Sequence, residues 1–147
     1  MSEYTLGSLL STLMEIEGNV ADFYQNASSD GDDVIKSLFI LYSKEHKDIK
    51  EKIEAVKRET VIEFTLEAIS GLDLSSHVSK IMGMIKADGL KSINRAIIIE
   101  SELSKLYLSV SERVAHMSGE ASQLLMSANK KARRRLDKME EKDATSS

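Results

Sequence analysis

The chain of 147 residues contains no proline, and that absence constrains its fold more than any residue present. Proline removes a backbone N–H and clashes with the preceding turn, so a chain without it can run long uninterrupted helices. The apolar residues recur with a helical period. From about Thr5 to Ala27, the residues Leu6, Leu9, Leu10, Leu13, Ile16, Val20, Phe23 and Tyr24 follow spacings of three and four, which predicts a first amphipathic helix. Residues 28–32 read as a turn, with Asp32 as the N-cap of a second helix. That helix is expected from about Asp33 to Arg58, with Leu38, Leu41, Tyr42, Ile49, Ile53 and Val56 as its buried stripe.

The stretch from Glu59 to Gly89 is less regular and reads as a long crossover. It carries a short amphipathic helix near Ser76–Lys86, with Val78, Ile81, Met82 and Ile85 on one face and a stop at Asp88-Gly89. A third long helix is expected from about Leu90 to His116, then a turn at Ser118-Gly119. A fourth follows from about Glu120 to Lys142, and residues 143–147 are expected to fray. Two short connections flanking one long one predict an all-α four-helix bundle of two helical hairpins joined by a crossover, a single domain over residues 1–147.

Composition narrows the function classes. Charged residues make up 30% and apolar residues 41%, a globular balance. The formal net charge of -4 gives no global pull toward nucleic acid. Without cysteine there are no disulfides, thiolate nucleophiles or Cys-ligated metals. Met1–Gly7 has neither the basic nor the apolar stretch of a secretory signal, and no run approaches ~18 apolar residues, so the expectation is a cytoplasmic protein with no membrane contact. The apolar stripes are wide enough to support a homodimer.

The chain also repeats itself. Leu13, Ile16, Glu17, Val20 and Tyr24 in the first helix match Ala96, Ile99, Glu100, Leu103 and Tyr107 in the third at a constant offset of 83 residues. Leu41 and Glu45 match Leu125 and Asn129 at an offset of 84. Both Glu17 and Glu100 fall inside the apolar stripes. A carboxylate facing a helical core costs several kcal/mol unless it is paired, protonated or bound to a cation.

Two segments, Met14-Glu15-Ile16-Glu17 through Asp22-Phe23-Tyr24 and Ile99-Glu100-Ser101-Glu102 through Leu106-Tyr107, carry a family likeness. They resemble the rubrerythrin-like branch of the ferritin-like superfamily. That resemblance implies a single Glu in helices one and three, seven residues before a Tyr, and a Glu-x-x-His motif in helices two and four, together holding two irons. Glu17 and Glu100 match the single glutamates. In helix two Glu45 matches the motif's Glu, but Asp48 stands in place of its His. In helix four the matching positions are Asn129 and Ala132, so both ligands are missing. The resemblance therefore implies a reduced metal site of Glu17, Glu45, Asp48 and Glu100. Such a site suits one hard ion (iron(II), manganese or magnesium) or none, rather than zinc or copper. Tyr24 and Tyr107 would be hydrogen-bond donors beside it. Any activity implied is oxidation of iron or reduction of oxygen or peroxide species. A self-contained peroxide reductase is not expected, because the Cys-ligated iron module of rubrerythrins is absent.

Other readings compete with metal binding. The helices rotate so that the carboxylates reach solvent, or Arg133, four residues after Asn129, enters the core and pairs with Glu17, Glu45 or Glu100. His46 lies about 100° around the helix from Glu45 and is expected to face solvent. His77 and His116 are expected at the surface, and the seven methionines are expected to fill the core. The run Lys130, Lys131, Arg133, Arg134 and Arg135 offers a basic face for an acidic partner or nucleic acid, though without an aromatic residue to stack on bases. The two functional readings are thus a ferritin-like protein with a reduced carboxylate site and a non-enzymatic helical interaction module.

Overall fold

The computed structural model describes residues 4–29, 31–64 and 67–145. Among them are five helices: α1 (Leu6–Ala27), α2 (Asp33–Phe64), α3 (Ser75–Lys86), α4 (Ser92–Val114) and α5 (Gly119–Thr145). Two short strands, β1 (Tyr4–Thr5) and β2 (Ala68–Ile69), pair antiparallel with Tyr4 opposite Ile69. The chain is therefore all-α with one small strand pairing that the helical periodicity did not signal. Asp30 of the expected turn, and Ser146 and Ser147 of the expected frayed tail, lie outside the described residues.

Local chemistry accounts for the helix ends. Thr5 is extended at φ -90°, ψ 166°, and exchanges hydrogen bonds with Ser8 in a reciprocal capping box. The same extended backbone leaves Thr5 free to pair with Ala68. Asp32 accepts the Ile35 N–H at 2.9 Å, as its N-cap position predicts, and Ser118 accepts the Ala121 N–H at 3.0 Å. α2 runs to Phe64 rather than ending near Arg58, because residues 59–64 contain neither glycine nor proline to stop it. α5 likewise continues to Thr145, whose hydroxyl donates back to the Lys142 carbonyl at 3.0 Å, so residues 143–145 are helical rather than frayed. Gly71 (φ 74°) and Gly89 (φ 83°) take left-handed backbone on either side of α3, where a side chain would be strained.

α1 packs along α2 and α4 along α5, while α3 lies mainly on α4. Arg95 of α4 fixes that placement. Its guanidinium donates to the Met84 and Ile85 carbonyls in the last turn of α3 and sits 4.9 Å from the Phe23 ring centroid. One continuous core joins Leu10, Leu13 and Val20 of α1 to Phe39 and Ile53 of α2, Ile99 and Leu106 of α4, and Leu125 and Met139 of α5. Among the described residues no helix is long and apolar enough to cross a membrane.

One face differs from the sequence expectation. The buried stripe of α2 is Phe39, Tyr42, His46, Ile49, Ile53 and Val56, whereas Leu41 is 48% exposed. Those buried positions step by three and four without interruption. The shift carries His46 into the core.

Candidate functional site

Each long helix delivers a polar side chain to the same depth of the core. On α1, Glu17 stands between Leu13 and Val20 in the apolar row, and Tyr24 follows two turns later. On α4 the repeat places Glu100 and Tyr107 equivalently. α2 contributes His46 and α5 contributes Arg135. Glu17, Glu100 and His46 are fully buried, and Arg135 is 2% exposed.

The contacts cross between the helix pairs. The Tyr24 hydroxyl of α1 donates to Glu100 Oε2 of α4 at 2.6 Å, and the Tyr107 hydroxyl of α4 donates to Glu17 Oε1 of α1 at 2.6 Å. His46 bridges the two carboxylates, with Nδ1 2.6 Å from Glu17 Oε2 and Nε2 2.8 Å from Glu100 Oε2. Arg135 Nε lies 3.0 Å from Glu100 Oε1 as an ion pair, but without the alignment of a hydrogen bond. Its Nη1 donates to Glu45 Oε1 at 2.9 Å, and its buried Nη2 has no partner among the described residues. Asn129 of α5 donates to the backbone carbonyl and the hydroxyl of Ser104 on α4, so it secures the α4–α5 packing.

This geometry fixes the protonation state of His46. A neutral imidazole has one N–H, so one ring nitrogen would present a lone pair to a carboxylate oxygen. With both nitrogens against carboxylates, the imidazolium is the form that satisfies every contact. Electrostatics agree. Burial alone would lower the His46 pKa, but Glu17 and then Glu100 outweigh it and raise the value to about 9. Burial would raise Glu100, yet Arg135 and His46 hold it down to about 2. Burial, reinforced by Glu100, pushes the Tyr24 phenol well up, and burial with Glu17 does the same to Tyr107. Burial opposes the charge on Arg135, but Glu100 and its other neighbours raise its pKa further. The Tyr24 ring stacks on the imidazolium at 5.5 Å and 15°, a cation–π contact inside the core.

The sequence-derived residues divide. Glu17 and Glu100 meet at the centre. Glu45 is at the rim, 36% exposed and held by Arg135. Asp48 is 54% exposed and pairs with Lys52 at 3.0 Å, away from the centre. His46, expected to face solvent, is the central residue instead, because α2 turns its Phe39–Tyr42 row inward. Arg133, the residue that the competing ion-pair reading would bring into the core, is exposed, and Arg135 makes the internal ion pair in its place. The signal for both was present in the sequence. His46 continues the Phe39, Tyr42, Ile49 spacing, and Arg135 continues the Ala121, Leu125, Ala128, Ala132 spacing. His116 is at the surface as expected, whereas His77 is partly covered by its 3.0 Å contact with Glu102.

No protein-family model, curated protein or solved structure matches this chain.

A two-metal carboxylate centre needs several carboxylate and imidazole donors with free lone pairs converging on one point. Among the described residues no group of three or more His, Asp or Glu side chains is arranged to hold a metal ion. Both His46 nitrogens face carboxylates and both central carboxylates receive donors, while Asp48 is outside. The residues as placed therefore do not fit the two-iron ligand set. They form an ion cluster in which two protein cations neutralise the buried carboxylates.

Proposed function

We propose that this chain is a ferritin-like four-helix bundle of two helical hairpins joined by a long crossover, with His46 and Arg135 standing where the family's metal ions would be. It works as a non-enzymatic helical interaction module that binds through the basic side of α5. The observation that carries the reading is the placement of both His46 nitrogens within hydrogen-bond reach of Glu17 and Glu100. The crossed Tyr–Glu contacts at the repeat offset support the family assignment, since they relate the first helix of each pair by the same internal symmetry. His46 and both phenols are committed to Glu17 and Glu100, and the buried donor without a partner among the described residues, Arg135 Nη2, belongs to α5, which directs attention to the surface of that helix.

Elemental analysis tests this directly. Protein purified without chelator or affinity metal, then loaded with iron(II) or manganese(II) and desalted, is expected to retain well below one ion per chain. Retention of about one ion per chain, lost in Glu17→Ala with helix content intact, would overturn the reading. The carboxylates would then be ligands of a working metal centre, and iron-oxidation and peroxide assays would follow.

A further inference from the structure

The basic run on α5 is not one face. Lys130 and Arg133 point to solvent away from Arg135, which is buried. Lys131, Arg134 and Lys138 instead line a cleft between α5 and α2, opposite Leu38, Leu41 and Tyr42. Its volume is about 470 Å³, within the range of small-molecule sites and too small for a folded partner.

The cations of this cleft come from α5 and its apolar residues from α2. The α5 wall carries three cations, none of which makes an ion pair among the described residues. Two carboxylates also line the cleft, and each is paired, Asp48 with Lys52 and Glu45 with Arg135. Arg135 lines the cleft from its buried side and has Nη2 unpartnered. The α2 wall is apolar at Leu38, Leu41 and Tyr42 and carries Glu45 and Asp48 beyond them, and Leu41 stands 48% exposed. Four cations against two carboxylates leave the lining with a net positive charge, and beside it the apolar patch of Leu38 and Leu41 matches a ligand with an anionic head and a short apolar body.

We infer that the α2–α5 cleft binds a small amphipathic organic anion, its phosphate or carboxylate head on Lys131, Arg134 and Lys138 and its apolar body on Leu38 and Leu41. This rests on the reading of the chain as a binding module. It is tested separately from the interior cluster, because metal retention reports on Glu17 and Glu100 whereas anion binding reports on exposed residues. An acidic peptide would reach the same cations without filling the apolar patch of Leu38 and Leu41.

The test is calorimetric titration of the full chain with phenyl phosphate, with octanoate, with inorganic phosphate and with a poly-glutamate peptide. The expected result is saturable binding of one organic anion per chain, at least tenfold tighter than inorganic phosphate. Arg134→Ala and Leu41→Ser should each weaken it about tenfold. Arg134 is exposed and Leu41 half-exposed, so both variants should keep wild-type helix content, checked by circular dichroism. Preference between phenyl phosphate and octanoate identifies the head group. No saturable binding of either overturns the inference, as does binding that both substitutions leave unchanged. Binding of an acidic peptide alone overturns it in favour of a protein partner.

Discussion

The Tyr107 hydroxyl donates to Glu17 at 2.6 Å across a sequence separation of 90 residues. Tyr24 makes the mirror contact to Glu100 at the same distance. Each phenol thus serves the carboxylate of the other helix pair, and His46 ties the two carboxylates together. Neither pair can leave the other without stranding a buried charge. The cluster therefore specifies how the two pairs dock, which apolar stripes alone leave open to sliding and rotation.

The two tyrosines are not equivalent, because their acceptors differ in remaining support. Without Tyr24, Glu100 still has His46 and the Arg135 ion pair. Without Tyr107, Glu17 has only His46. Removing one donor from a buried polar group costs about 1–3 kcal/mol. Urea denaturation should place Tyr107→Phe toward the upper end of that range and Tyr24→Phe toward the lower. The reverse order would mean that Arg135 contributes little to Glu100.

Stability should depend on pH through the same groups. His46 titrates near its ordinary value of 6.5 when unfolded and at about 9 when folded, facing Glu17, Glu100, Arg135 and the Tyr24 ring. A raised folded pKa gives stability that is complete below about 6.5 and declines as pH rises through 9. Glu100 shows the opposite sign. Held at about 2 against 4.5 unfolded, it contributes fully above 4.5, and that contribution is lost as pH falls toward 2. The urea midpoint should form a plateau from about pH 4.5 to 6.5 and fall on both sides. In His46→Gln the loss between pH 6.5 and 9 should disappear. A wild-type midpoint flat from pH 6.5 to 9 would show that His46 is neutral in the fold.

Much of this was legible in the sequence. Proline-free apolar rows marked the five helices, and the offset of 83 residues paired Glu17 with Glu100 and Tyr24 with Tyr107. The β1–β2 pairing was not legible, since two residues carry no period. On α2 two rows overlap. A stripe begun at Leu38 and Leu41 points Glu45 and Asp48 inward, whereas one begun at Phe39 and Tyr42 points His46 inward. A single-residue step rotates the face by about 100°. The second row wins because it buries Phe39 and continues unbroken to Val56. On α5 the small side chains of Ala128 and Ala132 leave room for Arg135, which the periodicity places in the buried row although its charge would assign it to solvent.

That room makes Arg135, not Arg133, the residue on which the interior depends. Arg133 is exposed and makes no ion pair among the described residues, so Arg133→Ala should change stability by no more than about 0.5 kcal/mol. Arg135→Ala removes the cation beside Glu100 and Glu45 from a nearly dry site, and breaking such a pair typically costs about 3–5 kcal/mol. Part of that loss would come from packing, because the arginine stem itself fills space between α5 and its neighbours. Arg135→Met separates the two contributions, keeping an apolar stem of similar length without the charge. If the uncompensated Glu100 carboxylate dominates, Arg135→Met should be destabilised nearly as much as Arg135→Ala. It should also recover at acid pH, as Glu100 becomes free to protonate once its strongest opposing charge is gone. Equal losses from Arg133→Ala and Arg135→Ala in urea denaturation would contradict the placement of α5. A mild, pH-independent loss in Arg135→Met would reduce the Arg135–Glu100 contact to packing alone.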